Sequence, residues 1–199
     1  MSTGNIIVAL NCDDYFAPGA FNSILPLFEK GEEFVVGNVI VKSFRLGRSF
    51  RNVPRIGFAT MMRHWERNAY CYNPVGYFYT RRVQEVCPFK IENNFTMDLE
   101  FLLDAASKFR MVKINKVLGY YDEGRASKTT MTQADESYWS VKTFAYVERH
   151  INALPASEQA QFRADQAKGY ARIAAYWKRR QKIMRFREII KNFGKQFRV

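Results

Sequence analysis

GNIIVALNCDDYFAPGAF, residues 4–21, is the stretch on which the reading of this chain turns. Ile6 to Leu10 is an unbroken apolar run of strand length, predicting a buried strand. It ends in the polar turn Asn11-Cys12-Asp13-Asp14. Pro18-Gly19 then opens a helix that the pattern carries to about Lys30, with Phe21, Ile24, Leu25 and Phe28 on one face. Proline suits a helix start and Gly31 a helix stop, whereas Pro26 inside the pattern predicts a kink or a shorter helix. Two adjacent carboxylates thus follow directly on a buried strand. In open α/β sheets ligands sit outside the carboxyl ends of strands. Such a pair suits a hard divalent cation bridging a diphosphate, since Mg²⁺ is usually held by one or two carboxylates and substrate phosphates.

Working outward, Phe34–Val41 (FVVGNVIV) reads as a second buried strand, and residues 43–56 (SFRLGRSFRNVPRI) as an irregular basic loop. Residues 73–80 (NPVGYFYT) read as an aromatic strand, followed by a short helix from Arg81 to Cys87. Thr96 is placed to cap a helix over residues 97–109. Lys113–Tyr121 reads as another strand, and residues 124–132 as a polar loop. From Gln133 the pattern is mostly helical, broken at Pro155. Strands alternating with helices predict an α/β layer structure. The expected division is an α/β portion over residues 1–132 and a helical extension over residues 133–199.

A chain of 199 residues with 47% hydrophobic residues, 17 Phe and 11 Tyr has the means to build a core. No apolar run reaches membrane-spanning length. The first residues have no basic region ahead of their apolar run and do not read as a signal peptide. Cys12, Cys71 and Cys87 have no metal-type spacing and read as free thiols in a reducing, cytoplasmic setting. The net charge is +12, but residues 178–199 hold nine Lys or Arg against one acid, Glu188. The body is mildly basic and the tail carries most of the charge.

Five segments together resemble the inverting, nucleotide-sugar-dependent glycosyltransferases of family 2, which have the GT-A fold. Residues 4–21 are similar to the strand that ends in Asn-Ser-Asp-Asp and runs on to Pro-Gly-Ala. FVVGNVIV resembles the next strand, usually Val-Val-Tyr-Gly-Asp-Val. Residues 73–90 (NPVGYFYTRRVQEVCPFK) resemble the acceptor-side strand and the helix after it. Residues 94–109 (NFTMDLEFLLDAASKF) resemble the helix that supplies the catalytic base. Residues 119–129 (GYYDEGRASKT) resemble the closing strand and its turn. The segments come in the family's order over roughly residues 4–130. The chain departs from the pattern at Asn38, at Val75-Gly76 and at Glu123, where the family has Asp, a polar pair and a common His.

The resemblance implies a partial GT-A, Rossmann-like mixed sheet. It places the metal at Asp13 and Asp14, the nucleotide diphosphate at Asn11, Asp13 and Asp14, and the general base at Asp98. The cofactor it implies is Mn²⁺ or Mg²⁺. In the family a nucleotide-base-binding half precedes the Asp-Asp strand, and the expectation is a chain that lacks it. Asp98 also has a plain reading as an acid favoured in the first turn of a helix. Glu100 reads as a helper or a structural acid, and His64 and His150 as surface or structural groups.

In the tail, Ile183, Phe186, Ile190, Phe193 and Phe197 are spaced to share one helical face, with Arg180, Arg187, Lys191, Lys195 and Arg198 on another side. A basic amphipathic helix with aromatics is the composition of an in-plane membrane binder. Packing on the body is the alternative. Tyr170, Ile173 and Trp177 fall on a different face, which predicts a break or a change of packing partner near residue 178. Arg45, Arg48, Arg51 and Arg55 read as an exposed basic loop, or as partners of an acceptor phosphate. The leading expectation is metal-dependent transfer of a sugar from a nucleotide-diphosphate donor to a hydroxyl of a lipid-linked or polysaccharide acceptor, at the inner face of the cell membrane. Its rival is a non-catalytic remnant acting as a membrane- or partner-binding module. Nucleic acid, for which no motif is present, is the weakest reading.

Overall fold

A computed structural model of the chain describes residues 3–43, 46–93, 96–124 and 146–196, and of residues 177 and 180–196 the backbone alone. The chain divides into two compact units, residues 1–153 and 154–199. The expected boundary at residues 132/133 and the loop expected over residues 125–132 lie outside the described residues.

The first unit is mixed α/β. Six strands, β1 (Ile6–Ile7), β2 (Tyr15–Phe16), β3 (Phe34–Ser43), β4 (Arg48–Asn52), β5 (Tyr77–Thr80) and β6 (Val112–Glu123), form one sheet. The order is β1-β5-β3-β6-β2, with β4 on β3. β3 and β6 are parallel, and the β1–β5, β5–β3, β3–β4 and β6–β2 pairs are antiparallel. β1, β3 and β6 therefore run one way. β1 ends beside the start of β5, which lies opposite Val36, whereas β3 and β6 run on together to Ser43 and Glu123, with β2 starting opposite Tyr120.

The hydrophobic pattern explains the centre of the sheet. β3 is buried along almost its whole length, as a strand covered on both faces must be. On one face Val35, Phe78 and Leu118 pack with Ala20 and Ile24 of helix α1 (Ala20–Glu29). On the other, Phe34, Tyr77 and Tyr79 stack with Phe101 of helix α4 (Met97–Lys108). Gly37 lets the layers close: a Cβ there would lie 2.3 Å from the Leu118 side chain. Helices α2 (Phe58–Met62) and α3 (Arg81–Val86) complete the unit, with residues 146–152 also helical.

Several expectations need correction. The first strand is two residues long, not five, and Leu10 is exposed. α1 buries Ala20 and Ile24, but Phe21 and Leu25 of the expected face are 47% and 42% exposed. Phe21 nevertheless packs edge-on against Phe16 and Phe78, at the rim of the face that Ile24 buries. Pro26 does not end α1, which runs on to Glu29. Pro26 and Asn22, whose carbonyl loses its helical donor, both face water, so the missing bond costs little. The expected stop at Gly31 holds: it has φ 87° and donates to the Phe28 carbonyl. The basic segment 43–56 is not wholly irregular, since Gly47 at φ 62° turns it into β4, which pairs with β3 from Val39↔Asn52 to Ser43↔Arg48. Residues 73–80 divide into a 3₁₀ turn, Pro74–Gly76, and β5.

The second unit contains a single continuous helix, α5 (Ala156–Gln196). Pro155 sets its start, its carbonyl accepting from Glu158 and Gln159 at 2.8 and 3.2 Å. The break expected near residue 178 is absent. The segment is rich in Ala, Gln, Lys and Arg, all good helix formers, and has no internal proline. The side chains of the expected apolar face, Ile183 to Phe197, lie outside the described residues.

Candidate active site

Asp14 follows the carboxyl end of β1 and immediately precedes β2. A turn brings it inward: its backbone N–H donates to the Asn11 carbonyl at 3.1 Å, and its side chain is buried. Asn11 Nδ2 donates to Asp14 Oδ2 at 2.8 Å, and Asn73 Nδ2 donates to the same oxygen at 2.9 Å. The other oxygen, Oδ1, is buried and has no close hydrogen-bond partner among the described residues, although the Asp122 backbone N–H lies near enough to the carboxylate to lower its pKa. Burial raises the Asp14 pKa. The Asn73 and Asn11 amides pull it back, and the neighbouring Asp13 charge pushes it further up. Asp13 itself is exposed.

Asn73 is the residue that the sequence reading missed. It is buried, and its Oδ1 accepts from Val75 N at 2.9 Å, capping the 3₁₀ turn, while its amide holds Asp14. The Asn-Pro pair at 73–74 is a turn-initiating signal. What it did not disclose is the partner 59 positions away. Val75-Gly76 beyond it is packed rather than open to a ligand. A Cβ on Gly76 would lie 2.3 Å from Val39 and 2.5 Å from Cys71 Sγ.

Asp98 stands in the first turn of α4, half-buried. Tyr77 Oη, on β5 and fully buried, donates to Asp98 Oδ1 across a long 3.5 Å. The Asp98 pKa is raised to about 6, first by burial and then by the charge of Asp14, against a lowering by the Tyr77 hydroxyl. The Asp98 charge in turn helps raise Tyr70, Tyr77 and Tyr79, all of which burial raises first. The fold thus brings Asp14, 84 positions away, near enough for its charge to act on Asp98. Carboxyls raised by burial and by a neighbouring charge are a usual basis for acid–base work.

The other sequence candidates lie apart from this pair or serve the scaffold. Glu100 is buried and accepts from Asn93 Nδ2 at 2.8 Å and from Arg149 at 2.6 Å, tying α4 to the 146–152 helix. Thr96 does not cap α4 with its own hydroxyl. Its φ of −114° and ψ of 25° lie outside the usual capping region, and Asn93 Oδ1 instead accepts from Thr96 N and Oγ1, both at 3.0 Å. His64 has a pKa lowered to about 4 by burial, with Nδ1 against the Met62 carbonyl and the ring edge-on to Trp65. His150, also lowered first by burial, faces Asp104 and Phe58. Glu123 accepts from the Ser43 hydroxyl where β3 and β6 end together. All three cysteines are free, with Cys71 and Cys87 buried. Burial pushes the Cys71 thiol up to about 12. Among the described residues no three of His, Cys, Asp and Glu group as a metal site, and no helix is long and apolar enough to cross a membrane. No protein-family model matches the chain, and no curated protein is significantly similar to it.

Proposed function

We propose that this chain carries the diphosphate and acceptor side of an inverting, metal-dependent glycosyltransferase with a GT-A-like sheet. The observation that supports this reading most is that Asp14, held by Asn11 and Asn73, and Asp98, against Tyr77, lie near enough for the Asp14 charge to raise the Asp98 pKa, beside exposed Asp13. It adds to the motif order that suggested the family. Asp98 is the general base. At neutral pH a carboxyl with a pKa near 6 is ionised yet retains affinity for a proton. An acceptor hydroxyl bound against Asp98 attacks the anomeric carbon as its proton passes to the carboxylate. The bond from that carbon to the diphosphate oxygen breaks, and the nucleoside diphosphate leaves with the electron pair. Tyr77 orients Asp98, and Asn73 with Asn11 orients Asp14.

The residues fit a diphosphate-bridged Mg²⁺ or Mn²⁺. Asp13 offers an exposed carboxylate, and Asp14 Oδ1 is an acceptor with no close partner among the described residues. The cation would neutralise charge developing on the leaving diphosphate. Asp13 would meet it directly, and Asp14 would engage through Oδ1 as the Asn11–Asp14 turn gives. The basic end of α5 would hold the chain at an anionic membrane surface, where a lipid-linked acceptor resides. The test is transfer from a panel of labelled nucleotide sugars to saccharide and lipid-linked acceptors, wild type beside Asp98→Asn. Loss of turnover on the order of 10² to 10⁴ is expected. Near-normal turnover in the variant would place the base elsewhere, and failure of every donor both to react and to bind would remove the transferase reading.

A further inference from the structure

Lys113 is a half-buried cation without a carboxylate partner among the described residues. Its Nζ donates to Asn38 Oδ1 at 2.6 Å and to the Ile114 carbonyl at 2.6 Å, both neutral acceptors. Asn38, fully buried, passes the connection on: its Nδ2 donates to Asn115 Oδ1 at 3.1 Å. Arg51, exposed on β4, donates to that same Asn115 oxygen at 3.3 Å. Two cations from strands that do not pair with each other are thus bound into one chain of amides. They are close enough that the Arg51 charge helps lower the Lys113 pKa, beyond the lowering that burial imposes. The other arginines that pair in this unit, Arg55, Arg63, Arg82, Arg110 and Arg149, each meet a glutamate.

The backbone is bent to make this cluster. The β3–β6 register shifts on both sides of Asn38, between Val36 and Asn38 and between Asn38 and Val39. Bulges of this kind re-aim a side chain and recur beside functional sites. A half-buried ammonium with a second cation linked to it through two amides is unfavourable unless something neutralises it. The amides supply only dipoles. An anion would complete the cluster. Lysine holds phosphate as a point charge and arginine holds it through a fork of donors, and each cation here has N–H groups left to give.

We propose that Lys113 and Arg51, joined through Asn38 and Asn115, form a binding site for a phosphate oxyanion. The site stands without the transferase reading, because none of its residues belongs to the Asp14–Asp98 pair. Its ligand is inorganic phosphate or the phosphomonoester headgroup of a lipid, which share the same dianionic chemistry.

The test is titration of the whole chain, followed by amide and side-chain NMR, with inorganic phosphate and separately with monomeric dihexanoyl phosphatidic acid. Chelator is present throughout, so that no metal holds phosphate at Asp13, and chloride keeps ionic strength constant. Saturable shifts centred on residues 38, 51 and 113–115 are expected, with whichever probe binds more tightly identifying the source. Lys113→Met and Arg51→Gln should each weaken binding about tenfold or more, as loss of a charge-assisted contact does. Arg51 is exposed, so its variant tests the site even if Lys113→Met proves unstable. The proposal is overturned if neither probe shifts these residues, if the shifts spread over the basic tail instead, or if Arg51→Gln binds as the wild type does.

Discussion

Replacing Asp98 by Asn should make the protein more stable at neutral pH while removing its proton acceptor. The magnitude follows from the raised carboxyl. Its pKa is near 6, where an ordinary aspartate has 3.8. At 1.36 kcal/mol per unit, the folded state loses up to about 3 kcal/mol when this group ionises. The sign is opposite to that of a paired acid. Below pH 4 the carboxyl is protonated in both folded and unfolded chains and costs nothing. As pH rises through 4 to 6 the unfolded chain ionises first, and stability falls until the folded pKa is passed. Asn mimics the protonated form, is nearly isosteric and still accepts from Tyr77. Urea denaturation of wild type and Asp98→Asn should therefore give equal stabilities near pH 3.5, and a variant more stable by up to about 3 kcal/mol at pH 7 and above. A variant that is less stable at pH 7, or whose gain does not change with pH, would refute the account of Asp98 as a carboxylate held up by burial beside Asp14.

The remaining expectations concern the cation, one ion pair and the tail. Calorimetry with Mn²⁺ and uridine or thymidine diphosphate should show binding that Asp13→Ala abolishes. Asp14→Ala should weaken it with the melting transition preserved, and unchanged binding in both variants would remove the metal assignment. Arg149→Ala should cost about 1–3 kcal/mol by urea denaturation, because Glu100 is buried and would keep only Asn93. Arg82→Ala, which breaks an exposed pair with Glu33, should cost less than about 1 kcal/mol. The whole chain should co-sediment with vesicles containing anionic lipid, weaken at high salt and weaken again with Phe186→Asp and Phe193→Asp. Equal sedimentation with neutral vesicles would leave the tail without an electrostatic role.

The parts of the fold legible in the sequence are those with a strong periodic signal. β3 is a run of apolar residues with one glycine and one asparagine, and neither a loop nor an exposed strand carries that pattern. α4 and β6 were equally plain. β4 was not, because Arg48, Ser49 and Arg51 are exposed and only Phe50 and Asn52 turn inward. Two inward residues in a basic segment are too few to set a period, and the strand forms because β3 offers a free edge at residues 39–43. α5 erred the other way: a change of apolar face looked like a break, but nothing in residues 170–190 disfavours helix. Asp14 and Asp98 stand out in the sequence through the motifs that carry the resemblance. Asn73 and Tyr77 do not, since their contacts with these carboxylates cross the sheet and leave no trace in local sequence.

The direction of β5 accounts for most of this site. It lies between β1 and β3 and is antiparallel to both, so it starts just past the end of β1 and opposite Val36 of β3. Reversing it would send Asn73 and the 3₁₀ turn to the opposite edge, leaving Asp14 with Asn11 alone. β5 also occupies only the first part of the β3 edge, Phe34 to Val36, and β4 takes the remainder from Val39. The chain before β5 therefore leaves the sheet at the level of Asn38, between two strand partners. Asn73 in that segment holds Asp14, while Asn38 at that level of β3 holds Lys113. Cys71 sits at the junction: its Sγ contacts the Asn73 carbonyl at 3.4 Å, and both Lys113 and Asp98 act on its ionisation. A bulky polar replacement there would disturb both clusters at once, whereas Cys71→Ala should leave the Asp98 pH dependence and the phosphate titration unchanged. That pair of measurements separates a residue that fills space between the two clusters from one that couples them.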